Sequence, residues 1–399
     1  MKRKSYLKIL IIFLLNYTNS IDLRNDFKKI NVLLKQFINE EKLIINFRVI
    51  GKVKIIDFYN ENAFFIFEEE FLTFEKKNNF WYLNGKKLKI KNIKIEIFEN
   101  SYLIWNENSY LGDFFILNEN ENKTYLINKL YLEDYVCFVL GRETFGDWPI
   151  ESHKVSAIIS RTFAIYKMIS SRKLNKLYDI KSTIDDQKYL GIFWHKNIIN
   201  AVKETEDNII CYNDFPIISM YHICCGSTIP ANFSGFDFEK FPYLKRTSIC
   251  SFCKKSSNFN WSIIFNENEI CEKLGAFFKK NISNLNGIEN LKLTKSKSLK
   301  NITFIVYTKN KKGKKKKEFL KLSNKDFRKI FSITLQGKSS NFIPEFKNKT
   351  LKIIGKGRGH LVGLCQIGAK GMIDLNKNYK EILEFYYPKT TIQKINFIN

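Results

Sequence analysis

The sequence predicts an α+β protein, and three patterns carry that prediction. Short apolar runs broken by Asn-Glu, Asn-Gly and Lys-Asn-Asn turns fill Leu43 to Leu130, as strands and hairpins do. After Pro149 the apolar positions Val155, Ile158, Ile159, Thr162, Phe163 and Tyr166 recur at helical spacing. From residue 198 onward helix-like and strand-like segments alternate. A chain of 399 residues that is 44% hydrophobic can bury a large core and has room for one to three lobes.

Residues 1–20 read as a secretory signal. Lys2-Arg3-Lys4 supply the positive segment, Leu7 to Leu15 the apolar run, and Thr18-Asn19-Ser20 the small or polar stretch before Ile21. Export to the cell envelope with a mature start near Ile21 is the expectation. An uncleaved anchor is the competing reading, since Tyr6–Tyr17 is highly apolar, although the run is short for a membrane span.

Residues 21–125 form the β-rich N-terminal region, in which Asn84-Gly85 is the clearest hairpin turn. Residues 126–261 make a core whose main helix runs from Pro149, which suits a first helical turn, to about Ile169. Residues 198–222 read as helix then strands, and a cysteine-rich stretch follows at 222–253. Residues 262–350 read as an inserted mixed α/β lobe. Residues 351–399 hold a glycine-rich loop and a short helix, Tyr379 to Phe385, that complete the core.

The formal net charge of +26 would suit a polyanion. Lys, Asn, Ile and Phe are abundant along the whole chain, however, as A+T-rich coding DNA produces, so the charge is spread out and no nucleic-acid partner is expected. One run, Lys309 to Lys317, lies between the strand-like stretches Ile302–Tyr307 and Glu318–Leu322, where a solvated hairpin tip is expected.

Glu143 falls just ahead of the main helix, near Trp148 and Phe145. A carboxyl held in a partly apolar cleft by a turn against a rigid helix can carry a raised pKa and protonate a leaving oxygen, as glycosidic cleavage requires. Most glutamates beside a helix are solvated or capping residues. Position alone therefore does not single out Glu143.

A metal site is suggested by spacing. His222-x2-Cys225 and Cys250-x2-Cys253 each place two ligands close together, and the four make a set suited to tetrahedral zinc, expected to be structural. Cys224 is a rival ligand, and disulfide pairing is the alternative in an exported protein. Cys137, Cys211, Cys271 and Cys365 show no ligand spacing and are expected to be small buried residues. His153 and His195 are expected on the surface or on helices. The run Gly355-Lys356-Gly357-Arg358-Gly359-His360-Leu361-Val362-Gly363 requires positive φ or close backbone approach, and it lacks the Gly-Lys-Ser/Thr of a nucleotide loop.

These segments together resemble the SpoIID/LytB family of stage II sporulation protein D. The resemblance rests on Gly141-Arg142-Glu143-Thr144-Phe145-Gly146-Asp147-Trp148-Pro149-Ile150-Glu151 with Arg161-Thr162-Phe163-Ala164, on Gln187-Lys188-Tyr189-Leu190-Gly191, and on Tyr221-His222-Ile223-Cys224-Cys225-Gly226. It extends to the loop ending in Gln366-Ile367-Gly368-Ala369 and to Tyr379-Lys380-Glu381-Ile382-Leu383, covering about residue 110 to the end. Thr144-Phe145 stands where the family has Met-Pro, Leu361 where it has Gly, and Arg358 where it has an aromatic residue.

The resemblance implies a SpoIID-like catalytic core and a peptidoglycan lytic transglycosylase. Glu143 would be its single acid/base, and His360, Gln366, Gln187, Arg161, Gly359 and Gly363 would line the glycan cleft. It also implies that some members carry zinc near the Cys/His segment. Glu151 is expected to be structural or to edge the cleft. The expected partners are peptidoglycan glycan strands and, beside them, other cell-wall hydrolases. The alternative is a non-catalytic wall-binding protein or amidase activator, and a third reading, polyanion binding through the lysine hairpin, rests on charge alone.

Overall fold

The computed structural model describes residues 20–40, 42–59, 64–144, 146–183, 185–232, 236–294, 298–309 and 313–398. The expected signal segment before Ser20, Phe145 and the centre of the lysine hairpin tip lie outside the described residues. The fold is mixed α/β and strand-rich. Among the described residues it has seven α-helices: α1 (Leu132–Glu143), α2 (Ile150–Lys173), α3 (Lys196–Glu204), α4 (Glu267–Phe278), α5 (Asn324–Ile330), α6 (Gln366–Ile373) and α7 (Tyr379–Tyr386). None of these helices is long and apolar enough to cross a membrane.

The N-terminal region is two facing sheets, one of six strands and one of seven, the latter with an edge strand, Ile180–Lys181, from beyond α2. Alternation drives this arrangement: strand Leu43–Ile50 buries Leu43, Ile45, Phe47 and Val49 and exposes the residues between them. The expected turn at Asn84-Gly85 is present, with both residues at positive φ of 47° and 79°, as a two-residue hairpin loop requires. Phe114, from the seven-stranded sheet, meets Phe47 and Tyr110 of the other sheet edge-on at 5.2 and 5.7 Å. The same apolar core continues without a break into Tyr135, Phe138 and Leu140 of α1 and Ala164 and Met168 of α2.

The first and last described strands close the core. Strand Ser20–Arg24 pairs in parallel with Thr391–Ile398, which also pairs antiparallel with Asn208–Tyr212. Residues 260–356 carry their own apolar cluster, centred on Phe304, Phe327 and Phe331. In that lobe Leu299–Lys309 and Lys315–Ser323 form the antiparallel hairpin expected around the lysine run. Its boundary strands Asn260–Phe265 and Thr350–Lys356 pair with each other, so both crossings into the lobe leave from one place.

Two residues of parallel pairing bring distant segments together. Tyr221 pairs with Leu364, and His222 with Cys365.

Phe114 is fully buried between the two N-terminal sheets. Phe114→Ala is expected to cost about 3–5 kcal/mol, read as a lower urea midpoint with an unchanged denaturant slope.

Candidate active site

Helix α1 positions Glu143. Leu132, Tyr135, Val136, Val139 and Leu140 recur at helical spacing on its buried face, while Glu133 and Asp134 in its first turn complement the positive end of the helix dipole. Thr144 stops the helix by donating both its backbone N–H and its hydroxyl to the Leu140 carbonyl, at 2.9 and 2.8 Å. Glu143 is thus the last helical residue, at the negative end of the dipole, where a carboxylate is disfavoured.

Burial raises the Glu143 pKa further, and a hydrogen bond from the Lys188 backbone N–H to Oε1 at 3.1 Å opposes the rise. The carboxyl faces a narrow pocket lined also by Ser156 and Ser160 of α2, by Tyr221, and by Leu364 and Gln366. Gln366 Nε2 donates to the backbone carbonyl of Glu143 at 3.2 Å. Gln366 therefore fixes the backbone at this position, while the carboxyl itself is held by the Lys188 N–H.

The turn between α1 and α2 is held from inside. His153 lies on α2, the helix alternative of its two expected places, and is fully buried, with Nε2 3.2 Å from the Gly146 carbonyl and Nδ1 3.4 Å from the Thr144 hydroxyl. Helical spacing alone does not tell which face of α2 meets that turn. Glu151 accepts from the Tyr379 N–H and from Lys154, and so ties the start of α2 to the start of α7. His195 is half-buried and stands directly before α3.

The remaining expected site residues divide. His360 is exposed, accepts from the Val362 N–H at Nδ1, and packs edge-on to His222 at 5.4 Å; it is not among the residues lining the Glu143 pocket. Desolvation lowers its pKa. Gln187 is fully buried and accepts from the Tyr135 hydroxyl at 3.1 Å.

Arg161 is not where a glycan contact would need it. Its side chain is fully buried, forks onto Glu133 of α1 with two 2.6 Å bonds and donates to the Asn208 carbonyl. It is a strut joining α2 to α1 and to strand Asn208–Tyr212. Gly359 and Gly363 serve backbone approach: at φ 98° and 73°, a Cβ on them would lie 2.8 Å from His222 Cβ and 1.9 Å from the Met220 carbonyl.

The thiols differ from the expected ligand set in one member. Cys225, Cys250, Cys253 and Cys365 are all buried, and their Sγ atoms lie within 4.8 Å of one another. Cys225 to Cys253 is 3.5 Å and Cys250 to Cys253 is 4.0 Å. A zinc–sulfur bond of about 2.3 Å in a tetrahedron puts sulfurs about 3.8 Å apart, so the four thiols fit that ion.

His222 stands outside this group. Its Nδ1 must donate to the Val362 carbonyl 3.1 Å away, because a carbonyl can only accept, which leaves Nε2 as the acceptor nitrogen. Burial holds the ring neutral. Cys365 gave no local spacing signal, because only the strand pairing with His222 brings it to the cluster.

One half-buried carboxyl at a helix end, set between two helices and a glycine-rich loop, with a buried thiol cluster behind it, defines a mixed α/β protein built around a single-carboxyl pocket. A family model described as SpoIID, Stage II sporulation protein, matches residues 120–212. An uncharacterized protein of Brachyspira hyodysenteriae is 30% identical over 297 residues, covering 73% of this chain and 74% of its own. The stage II sporulation protein D of Bacillus subtilis is 27% identical, covering 68% of this chain and 78% of its own. The amidase enhancer of Bacillus subtilis is 25% identical, covering 64% of this chain but 39% of its own length. The chain belongs to the SpoIID family.

Glu143 keeps its proton to higher pH in the folded protein than in the unfolded chain, where glutamate titrates near about 4.3. Stability tied to this group is therefore full below the unfolded value and is lost as pH rises from there through the raised folded value. Glu143→Gln, which cannot ionise, is expected to be more stable than the wild type near neutral pH, with the difference vanishing in acid. Urea denaturation across a pH series measures this, and parallel pH dependence in the two proteins would contradict a raised carboxyl.

Proposed function

We propose that the chain is an exported, cell-envelope lytic transglycosylase that cleaves bonds between N-acetylmuramic acid and N-acetylglucosamine, on glycan strands stripped of stem peptides. The observation that carries this reading is that Glu143 is the one carboxyl among the described residues lining its pocket, and its pKa is raised. A hydrolase working with two carboxylates needs a second one within about 5–9.5 Å of the first, across the scissile bond. Glu151, the next carboxylate on α2, is engaged by Lys154 and by the backbone of Tyr379.

One carboxyl then acts twice. Protonated Glu143 gives its proton to the glycosidic oxygen as the bond to the muramyl C1 breaks, which frees the N-acetylglucosamine hydroxyl. The resulting carboxylate takes the proton of the muramyl C6 hydroxyl as that oxygen bonds to C1. The product is a 1,6-anhydro end, and Glu143 is protonated again. Water has to stay out of the site for the intramolecular attack to win.

The Lys188 N–H supports the carboxylate half of this cycle and burial supports the acid half. In this reading His360, exposed on the glycine-rich loop, is a sugar contact, and Gln366 holds the backbone under the acid. Zinc in this reading is structural: the buried thiols would hold it, and it supplies rigidity while the proton transfers stay with Glu143.

The second reading, a non-catalytic glycan binder or amidase activator working beside other wall hydrolases, is favoured by the similarity to the amidase enhancer. Mass spectrometry of denuded glycan strands after incubation separates the two. Anhydromuramyl ends are expected from the wild type, with a loss of at least about 100-fold in Glu143→Gln, the lower end of what a positioned acid/base contributes. Glycan binding without cleavage by the wild type supports the second reading instead, and equal product from Glu143→Gln overturns Glu143 as the acid/base.

A further inference from the structure

Behind the pocket, the thiol cluster has the donors that a thiolate centre needs and a disulfide does not. Cys365 Sγ accepts from the backbone N–H groups of Cys225 and Gly368, both at 3.2 Å. It thereby caps α6, whose dipole favours a negative sulfur at that end. Cys250 Sγ lies 3.1 Å from the Tyr386 hydroxyl. The buried Arg246 guanidinium stacks over the Tyr386 ring at 5.6 Å, putting a cation one side chain away.

Space around the sulfurs is kept open by glycine. A Cβ on Gly368 would come within 2.6 Å of Cys250 Sγ and 2.2 Å of the Tyr386 oxygen. Cys253 lies within reach of both Cys225 and Cys250, so the sulfurs converge on one centre instead of sorting into two pairs.

We infer that Cys225, Cys250, Cys253 and Cys365 bind one zinc ion as four thiolates, with Cys365 and not His222 as the fourth ligand. The ion joins segments 140 positions apart. On one side it fixes Cys225, four residues after Tyr221; on the other it fixes Cys365, directly between Leu364 and Gln366. Tyr221, Leu364 and Gln366 all line the Glu143 pocket, so the metal is a clamp that positions one wall of the pocket against the other. Ligation stands independently of the glycan-cleaving reading; only the catalytic consequence of the clamp rests on it.

X-ray absorption on the wild-type protein loaded with zinc tests the ligand set without any variant. Four sulfur neighbours at about 2.3 Å are expected, whereas three sulfurs and one nitrogen would restore His222 and overturn the assignment. Intact disulfides among these cysteines by peptide mass mapping, or iron in place of zinc by metal analysis, would also overturn it. Cys365→Ser is expected to weaken zinc binding at least as much as the about 10–100-fold that loss of an outer-shell partner costs, while His222→Gln keeps the metal.

The clamp is read by hydrogen exchange on the wild type before and after chelation. Faster exchange across 221–226 and 364–368 on zinc removal is expected, and unchanged exchange there would overturn the clamp. None of these readouts uses glycan, so their failure is distinct from a failure of the transglycosylase assay.

Discussion

The pairing of Tyr221 with Leu364 and of His222 with Cys365 is short, yet both the pocket and the thiol cluster hang from it. Successive residues of a strand point to opposite faces. Leu364 accordingly lines the Glu143 pocket while Cys365 turns toward the sulfurs. So short a ladder would not persist alone, and it is extended by non-strand contacts. Cys224 and Arg358 exchange backbone hydrogen bonds at 3.2 and 2.8 Å, Leu364 donates to the Met220 carbonyl, and the Tyr387 hydroxyl reaches the same carbonyl at 2.7 Å. The glycine-rich loop is thereby stitched to the Met220–Gly226 segment over its whole length.

Against this wall stands α1, whose end sets the electrostatics of Glu143. Partial burial raises the carboxyl pKa and the backbone N–H and charge of Lys188 lower it, while the negative end of the helix also disfavours a carboxylate there. Arg161 ties the first turn of this helix to α2 through Glu133. A buried ion pair adds little net stability over an apolar pair, but removing one partner leaves an unpaired buried charge. The Arg161–Glu133 fork therefore fixes the angle between α1 and α2 more than it strengthens the core, and that angle determines where Glu143 opens into the pocket.

What the sequence made legible follows from the range of each signal. The Asn84-Gly85 turn, α2, α7 and the paired strands around the lysine run announce themselves within a few residues, through turn chemistry or periodicity. Helix α1 escaped because its apolar run follows strand Lys123–Tyr131 with no turn residue between them. The ligand-like spacing of His222 and Cys225 was visible, but a strand holds His222 where Val362 captures its ring. Cys365 had no spacing to reveal it, since its partners arrive by strand pairing. Arg161 stood out in the family-like motif, and a motif marks a residue without saying whether it faces substrate or core.

The same limit applies to the family departure at Leu361, and there the structure supplies a physical reason. Leu361 sits at φ 67° and is completely buried. The left-handed conformation costs a branched residue about 1–2 kcal/mol, while burying a leucine side chain returns about 1.5–3 kcal/mol. The balance holds only if the space is provided, and Gly357 provides it: a Cβ there would lie 2.8 Å from Leu361 Cδ2 and 2.7 Å from the Cys224 carbonyl. Gly357 and Leu361 therefore work as a pair, one giving the volume and the other filling it. An apolar plug thus sits at the position just before Val362, whose backbone holds both His222 and His360. The loop that carries His360 is consequently set by packing as well as by glycine conformation.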